Sequence, residues 1–465
     1  MKKIFILFFV FLFIVSMGFI GVGCKAAAET TAAAETTAAA AETTAAAAET
    51  TAAAETTAAA GESVTLNMIC EGGGKGLQEN IVKKFVEETG IKVNLIEVPY
   101  IGVYDKLFVE TTGGISDIDV ATLDVIWIPT FAKIAEPIDD LFTDEVKGDL
   151  WPALLNDGYF NGNYVAMPTW ANAEILYYRK DLIEDPKEQA NFKAEYGYDL
   201  KVPKNWQEFI DVCKFFTRDT NNDGKIDLYG TDVKGGPSAG ECEYEATVLQ
   251  AGSPGVVLDK NNNIIIDNQA HVDALQYYVD LNLKYHVCPT NLNEIDWAVS
   301  NRLFWEGATA MTRYWGHLYR LTPKDSVVYG KVGVAPMIAG PGGIGAIPGS
   351  WYNIVLKSSK NKDAAKQLVK FLFDNNVMQQ ETGLGLVCRK SAFEEYANKP
   401  GFEHINPLIE TMSSPQFMGR PMVVGWQEIA DEVVLVTVQK ALLGEKSVKE
   451  CLAEARLLLE EMGYK

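Results

Sequence analysis

The chain has 465 residues, of which 62 are acidic and 41 are basic, so its formal net charge at pH 7 is −21. This acidic balance argues against nucleic acid as a partner and against electrostatic docking on anionic lipid. Beyond the first 61 residues about 400 residues remain, enough for two domains with substantial cores.

The amino terminus predicts export. Lys2 and Lys3 precede an uncharged apolar run that extends from Ile4 to Gly23 and ends at Cys24. A basic start followed by an apolar segment is typical of a signal peptide. The cysteine behind small residues resembles the lipobox of bacterial lipoproteins, which implies cleavage after residue 23 and lipidation of Cys24. The alternative is an uncleaved anchor helix, since about 20 apolar residues can span a bilayer. Both interpretations tether the protein to the cell membrane, on its periplasmic or outer face.

The segment 24–61 predicts a spacer between the membrane and the body of the protein. From Ala26 to Ala60 only Ala, Glu and Thr occur, with five Glu-Thr-Thr blocks separated by three or four alanines. No large apolar side chain is present that could form a core. As a flexible coil this low-complexity tether would span about 35 Å.

The body of the chain alternates strands and helices, which predicts an α/β fold with a largely parallel sheet. Val64–Ile69 is typical of a buried strand, and Gln78–Thr89 has helical spacing that ends before Gly90. Further strands are predicted over Ile91–Val98, Val120–Trp127, Ala308–Thr312 and Val332–Met337. Further helices are predicted over Trp206–Thr217, His271–Tyr285, Asp363–Phe373, Gln427–Leu443 and Ser447–Glu461.

The six cysteines after Cys24 leave two interpretations open. They are widely spaced, with no CxxC pair, at Cys70, Cys213, Cys242, Cys288, Cys388 and Cys451. An even number outside the cytoplasm permits disulfides, whose pairing the sequence does not fix. Buried free thiols are the alternative.

One loop has the spacing of a calcium site. Its candidate ligands are Asp219, Asn221, Asp223, Lys225 and Asp227. With Gly224 at position 6 these reproduce most of an EF-hand loop, but Gly230 stands where the bidentate Glu is usual. We therefore weigh a structural Ca²⁺ against an Asx-rich turn. No other cofactor is expected.

Several segments, in order, resemble the solute-binding proteins of bacterial ABC importers, in particular the maltose-binding-like sugar-binding group. They include "FVEETGIKVNLIEVP", "LDVIWIPTFAKIAEPIDDLF", "YVAMPTWANAEILYYRKDLI", "FWEGATAMTRYWGHLY" and "PGSWYNIVLKSSKNKDAAKQLVKFLF". The resemblance covers residues 62–465 and implies a monomeric, non-enzymatic receptor that delivers a carbohydrate to permease subunits.

The fold implied by this resemblance has two α/β lobes joined by crossovers, with the ligand in the cleft between them. We expect one lobe at 62–171 with 337–376 and the other at 172–336 with 377–465. Such a cleft can close around a ligand like a hinge.

A sugar site needs flat aromatic rings beside carboxylates, amides or guanidinium groups. Trp127 and Asp124 are candidates because ligands bind at the carboxyl ends of parallel strands, and Glu71 follows the first strand. The resemblance adds Trp170, Asn172, Trp315, Trp351 and Trp426. Arg389 and Arg420 could either bind hydroxyls or form surface ion pairs. Trp151, Trp206, Trp297 and Trp305 are expected to serve packing.

Two further motifs lack the context that their chemistry needs. Gly340–Gly345 satisfies G-x-G-x-x-G but is followed by Pro348 instead of a helix, which argues against dinucleotide binding. Gly236–Gly240 satisfies G-x-S-x-G, but no histidine lies near a supporting motif.

Two alternative functions remain open. One is a binding protein for a polyol, uronate oligomer or glycerol phosphate, and the other is a secreted glycoside hydrolase.

Overall fold

The computed structural model describes residues 64–113 and 117–465. The predicted signal peptide, Cys24 and the tether lie outside the described residues. Within the described ranges, no helix is both long enough and apolar enough to cross a bilayer.

Two main sheets and two smaller ones organise the strands. In chain order the strands are β1 (Thr65–Glu71), β2 (Lys92–Val98), β3 (Val120–Asp124), β4 (Tyr159–Phe160), β5 (Asn163–Tyr164), β6 (Met167–Trp170), β7 (Glu174–Arg179), β8 (Met311–Trp315), β9 (Val332–Ala335), β10 (Ala339–Gly340), β11 (Gly343–Ala346), β12 (Trp351–Val355) and β13 (Gln416–Phe417).

Helices cover most of the remaining chain. They are α1 (Gly72–Thr89), α2 (Tyr100–Thr112), α3 (Ile128–Phe131), α4 (Asp144–Gly148), α5 (Pro152–Asp157), α6 (Lys180–Ile183), α7 (Pro186–Tyr196), α8 (Trp206–Phe216), α9 (Gly240–Gln250), α10 (Gln269–Leu283), α11 (Trp297–Trp305), α12 (Leu318–Leu321), α13 (Lys362–Asp374), α14 (Lys390–Tyr396), α15 (Ile405–Met412), α16 (Trp426–Glu428), α17 (Val436–Leu442) and α18 (Val448–Glu461).

The larger main sheet has five strands in the order β2-β1-β3-β12-β6. β1 pairs in parallel with β2 and β3, because α1 and α2 provide the crossovers that parallel pairing needs. β12 pairs antiparallel with β3 and β6, so the sheet is mixed and less parallel than the sequence predicts. The reason is topological: β12 enters the sheet at the edge where β3 and β6 end.

The second main sheet has three antiparallel strands in the order β8-β7-β9. The chain passes to it through residues 171–173, between β6 and β7, and returns through residues 336–350, between β9 and β12. These connections occur where the resemblance implies crossovers. The complete lobe boundaries stay a prediction, and residues 387–417 pack in a core shared with β1 and α13.

Capping explains where several helices begin. The Glu71 carboxylate accepts hydrogen bonds from the backbone N–H of Gly73 and Gly74, at 2.8 and 2.6 Å. This cap lets α1 begin within a glycine run, six residues earlier than the hydrophobic spacing predicts. At the other end of the chain, Ser447 and Glu450 form a capping box that starts α18.

The helix predicted over Gln427–Leu443 is not uniform. α16 and α17 are joined by a π-helical segment, Ile429–Leu435, whose residues Ile429, Val433 and Val434 are buried. The wider π turn changes which side chains face inward, a feature that apolar spacing does not show.

Candidate functional site

A cavity of about 800 Å³ lies at the edge where β1, β3, β6 and β8 end and β12 begins. Its lining combines aromatic rings, carboxylates, one guanidinium group and apolar side chains. The residues are Glu71, Tyr100, Asp124, Ile126, Trp170, Asn172, Pro237, Ser238, Glu241, Cys242, Glu245, Trp297, Trp315, His317, Gly349, Trp351, Leu384, Leu386, Arg420, Trp426, Gln427, Ala430, Asp431 and Leu435.

The five-stranded sheet contributes a pair of tryptophans to this cavity. Trp170 and Trp351 lie opposite each other on β6 and β12, and their rings stack at 5.2 Å with an angle of 21°. A side chain at Gly74 would place its Cβ 2.8 Å from the Trp170 ring, so the first turn of α1 can approach this indole only because residue 74 is glycine. The pair offers a broad, rigid aromatic surface.

Asp124 lies at the end of β3, directly opposite Trp351. The Tyr100 hydroxyl donates to its carboxylate at 3.0 Å. Burial raises the pKa of Asp124, while the Arg420 guanidinium and the Tyr100 hydroxyl act in the opposite direction. This carboxylate is therefore held in place beside the indole.

Asn172 connects the two main sheets at the cavity wall. Its Oδ1 accepts from the Gly316 N–H at 3.0 Å, and its Nδ2 lies 2.8 Å from Nδ1 of His317. The Gly349 N–H donates to the Asn172 carbonyl at 2.9 Å. Burial lowers the pKa of His317 to about 4, so this imidazole is neutral at pH 7. Asn172, in the connection 171–173, is thus hydrogen-bonded both to the connection 336–350 and to the residues that follow β8.

Two further tryptophans come from the other side of the cavity. Trp315 ends β8, and its ring lies 5.4 Å from that of Trp297 at the start of α11. The Trp297 indole N–H donates to the Ser238 carbonyl at 2.8 Å, which fixes the ring orientation. Gly349 is required beneath Trp315, since a Cβ there would lie 2.5 Å from the ring.

Arg420 is surrounded by groups from several elements. Its Nε donates to Glu245 at 2.8 Å, its Nη1 to the Pro348 carbonyl at 3.4 Å, and its Nη2 lies 3.0 Å from the Cys242 sulfur. The Glu245 side chain is fully buried, and that of Arg420 is 10% exposed. Burial raises the pKa of Glu245, and Arg420 opposes this rise.

Glu241 lies one helical turn before Glu245 on α9 and also lines the cavity. Burial raises its pKa to about 8, with a further contribution from the neighbouring Glu245. This residue therefore takes up or releases a proton near neutral pH.

The structure places most of the predicted site residues at the cavity, namely Glu71, Asp124, Trp170, Asn172, Trp315, Trp351 and Trp426. It places two elsewhere. Trp127 is 2% exposed and lies beneath Tyr100, with ring centroids 4.7 Å apart. The reason is that β3 ends at Asp124 and a 3-10 turn over Val125–Trp127 carries the indole into the core. Direct contact between Trp127 and a ligand is therefore not supported.

Arg389 also does not line the cavity. Its Nε donates to Asp149 at 2.7 Å, its Nη1 donates to the Asp374 carbonyl, and its guanidinium lies over the Phe373 ring. This is the ion-pair alternative that the sequence left open. Arg420, for which the same two alternatives were open, lines the cavity instead.

Sequence reasoning did not single out Tyr100, Glu241, Glu245 and His317, and it assigned Trp297 to packing. A signal for the glutamates exists, because Glu241 and Glu245 stand four residues apart in a segment rich in apolar residues. Two carboxylates on one face of a buried helix need partners or a ligand.

The candidate calcium loop is held by its own backbone. Asp219 accepts hydrogen bonds from the N–H groups of Asn222 and Gly224, each at 2.7 Å, and Asp227 accepts from Thr220 at 2.8 Å. Among residues 64–113 and 117–465, no three His, Cys, Asp or Glu side chains are arranged to hold a metal ion. Asn221, Asp223 and Lys225 do not complete such a set, so the loop as folded fits an Asx turn, and calcium binding stays a prediction.

The six described cysteines, at 70, 213, 242, 288, 388 and 451, are all buried free thiols. Burial raises the pKa of Cys70 and Cys288 to about 12. Of the two interpretations that the sequence left open, the structure therefore shows the unpaired form.

Comparisons with known proteins identify the family of the chain. Residues 71–379 match the family of bacterial extracellular solute-binding proteins. A probable ABC transporter-binding protein of Deinococcus radiodurans is 28% identical over 326 residues, covering 67% of this chain and 72% of the relative. A putative binding protein of Brucella abortus is 25% identical over 396 residues, covering 82% and 90%.

Solved structures show the same fold. The maltose-bound MalE3 of T. maritima superposes with a TM-score of 0.68 and 28% identity, covering 86% of this chain and 100% of that protein. The predicted family and the predicted two-lobed α/β fold are therefore confirmed. The chain belongs to the bacterial extracellular solute-binding protein family and is a solute-binding protein of the ABC transporter type.

Proposed function

We propose that this protein captures a carbohydrate in the cavity and delivers it to the permease of an ABC importer. The observation that carries the proposal is the lining itself, which brings Trp170, Trp297, Trp315, Trp351 and Trp426 together with carboxylates and the Asn172 amide. The similarity to a maltose-bound protein at 28% identity supports the same ligand class.

The chemistry of the lining matches the two surfaces of a sugar. The CH face of a pyranose packs on a flat aromatic ring, and the partly exposed Trp351, stacked on the buried Trp170, offers such a surface. The hydroxyl groups at the rim of the sugar can donate to the carboxylates of Asp124 and Glu241. A volume of about 800 Å³ lies within the range of small-ligand pockets and has room for an oligosaccharide of a few units.

The receptor role extends to its place in the cell. A lipid on Cys24 would hold the protein at the outer face of the membrane, and the tether would let the body reach the permease. The protein would act as a monomer and would release its ligand unchanged, as solute-binding receptors do. The two lobes would close around the ligand by bending at the crossovers, residues 171–173 and 336–350. The closed form would be the one that the permease recognises.

Calorimetry with a panel of mono- and oligosaccharides tests this function. At least one sugar is expected to bind and to raise the melting temperature, because a ligand that binds only the folded state stabilises it. Trp315→Ala is expected to weaken that binding by about 1–3 kcal/mol, the scale for losing an aromatic anchor.

Trp305→Ala is the matched control, since Trp305 is similarly half-buried but does not line the cavity. Equal losses in both variants would show that the effect is structural. If no sugar binds, or if incubation with oligosaccharides releases reducing ends that depend on a cavity carboxylate, the receptor function fails.

A further inference from the structure

Acidic groups outnumber basic groups in the cavity lining. The carboxylates belong to Glu71, Asp124, Glu241, Glu245 and Asp431, and among the described lining residues Arg420 supplies the one cationic side chain. His317 adds no charge at pH 7 because burial lowers its pKa to about 4. Arg420 pairs directly with Glu245 and also acts on Asp124 and Glu241 from a greater distance, so one guanidinium group faces all five carboxylates.

Two of these carboxylates have an oxygen that no protein group satisfies. Glu241 is 4% exposed and Glu245 is fully buried. Among the described residues, no donor reaches Oε2 of Glu241 or Oε1 of Glu245. Buried acceptors without a partner are uncommon in folded proteins, because leaving one unsatisfied costs free energy.

The other acidic groups of the lining differ in this respect. Glu71 accepts two backbone N–H groups at the start of α1, and Asp124 accepts the Tyr100 hydroxyl. Asp431 is exposed and accepts the Gln427 amide at 2.9 Å. The demand for further donors is therefore localised at one face of α9, where Glu241 and Glu245 stand one turn apart.

The aromatic side chains point to the same ligand chemistry. Of the indole rings at the cavity, those of Trp297, Trp315 and Trp351 are partly exposed, and the face of an indole attracts cations as well as the CH groups of a sugar. An ammonium group would donate up to three hydrogen bonds and would offset the negative charge of an ionised carboxylate. A hydroxyl group donates a single hydrogen bond and leaves that charge in place.

We propose that the cavity selects a carbohydrate that carries a basic nitrogen, such as an amino sugar or an aminocyclitol, over the neutral sugar of the same shape. The nitrogen would lie against Glu241 and Glu245, while the ring stacks on tryptophan. This inference rests on the proposed function and adds a ligand class to it.

Matched ligand series test the selection on the purified full-length protein. Calorimetry at pH 7 compares glucosamine, glucose and N-acetylglucosamine, then the galactose equivalents, and then the β-1,4-linked disaccharides of each series. In at least one series the amino member is expected to bind about tenfold or more tightly than both its neutral parent and its N-acetyl derivative.

The possible outcomes separate the two proposals. If neutral sugars bind as tightly as their amino analogues or more tightly, the selection for nitrogen is overturned and the receptor function stands. If no sugar of either kind binds, both proposals are overturned.

Glu241→Gln assigns the selection to a residue. The variant keeps the size of the side chain and is expected to reduce the preference for the amino sugar by about tenfold. Glu432→Gln is the control, because Glu432 is exposed and lies outside the cavity. A preference that is unchanged in Glu241→Gln would overturn the role of this residue.

A measurement on the unmodified protein does not depend on how that variant folds. At pH 6 the amino sugar is protonated, and Glu241, which faces Glu245, Asp431 and Arg420, is largely neutral. Binding of the cation should then release about one proton, which calorimetry in buffers of different ionisation enthalpy detects. Binding of the amino sugar without proton release would overturn the contact with Glu241.

Discussion

Helix α9 carries buried glutamates on two faces, and the glutamates on the two faces differ in how completely protein groups pair with their carboxylates. Glu241, Glu243 and Glu245 alternate along its first turns and are at most 4% exposed. Glu243 faces the protein interior, where it lies 2.9 Å from Arg313 and 3.3 Å from Lys234 and accepts the Tyr278 hydroxyl at 2.5 Å. Glu241 and Glu245 face the cavity, and each retains an oxygen without a donor.

This difference distinguishes two roles of buried carboxylates. The carboxylate of Glu243 stabilises the fold, and those of Glu241 and Glu245 are available to a ligand. A buried ion is tolerated when counter-ions and hydrogen bonds offset its desolvation, as they do for Glu243. Burial of an incompletely paired carboxylate raises its pKa instead, as for Glu241. One helix therefore carries both a structural ion cluster and a candidate binding surface.

Breaking the inner cluster should produce the largest effect on stability. Lys234 is fully buried between Asp232, at 3.0 Å, and Glu243. Lys234→Met removes the cation and leaves two buried carboxylates short of a counter-ion, so we expect a loss of about 3–5 kcal/mol in the free energy of unfolding. Urea denaturation followed by circular dichroism measures it.

Lys284→Met provides the control for that experiment, since Lys284 is 61% exposed and pairs with Asp280 only at the surface. This variant should leave the free energy of unfolding nearly unchanged. A similar small change in Lys234→Met would show that the inner cluster does not hold the fold.

Substitution of Arg420 tests the ion pair on the cavity face of α9, and its expected effect on stability is smaller. Arg420→Met leaves Glu245 buried without a cation, and the cost is limited because that carboxyl can take up a proton. We expect a loss of about 2–3 kcal/mol at pH 8 and a smaller loss at pH 5, where Glu245 is protonated in the variant.

Arg456→Met is the control, because Arg456 also forms ion pairs, with Asp267 and Glu460, but is 36% exposed. Its effect should be small and independent of pH between 5 and 8. An Arg420→Met loss that does not vary with pH would contradict the assignment of Glu245 as the group left unpaired.

Glu241 should make the empty protein less stable as the pH rises. Its pKa is about 8 in the folded protein, above the ordinary value of 4.5. A raised pKa means that the folded state holds the proton more tightly, so the stabilising contribution is complete below about pH 4.5 and is lost as the pH rises through 8. Glu241→Gln should remove this dependence and be more stable than the unmodified protein by about 1–3 kcal/mol at pH 8.5.

The measurement is the free energy of unfolding of both proteins at pH 5 and pH 8.5. Near pH 5 the two should be almost equal, because Glu241 is neutral in the folded state. Parallel pH profiles for Glu241→Gln and its parent would show that this carboxyl is ionised without cost.

Local features of the fold could be predicted from the sequence. β1, β2, α8, α13 and α18 follow from hydrophobic spacing and capping residues that act within a few positions. The π segment before α17 and the antiparallel entry of β12 could not, because both depend on contacts between distant parts of the chain.

The candidate site likewise contains residues that could be predicted from the sequence and residues that could not. Trp170, Trp315 and Trp351 could be anticipated because the family resemblance places them at cleft positions, and the structure places all three at the cavity. Trp127 could not be placed correctly, since the 3-10 turn after Asp124 turns its ring inward. The role of Arg420 depends on Glu245, 175 positions away, a pairing that only the folded chain brings together.

The smallest expected effect belongs to Asp219, a third kind of carboxylate that is satisfied by backbone donors. It lies in an exposed loop, and the N–H groups of residues 221–224 hold its pKa below the ordinary value. Asp219→Ala should lower Tm slightly by removing the Asx turn. Asp211→Ala, on α8, should lower it less, because within the described part of the chain its donors are the side chains of Tyr198 and Gln207. Thermal unfolding with added Ca²⁺ and with chelator then tests the calcium prediction. If Ca²⁺ raises Tm in the unmodified protein but not in Asp219→Ala, the loop binds the ion in addition to its own backbone. Identical melting with Ca²⁺ and with chelator would leave the Asx turn as the only role of this carboxylate.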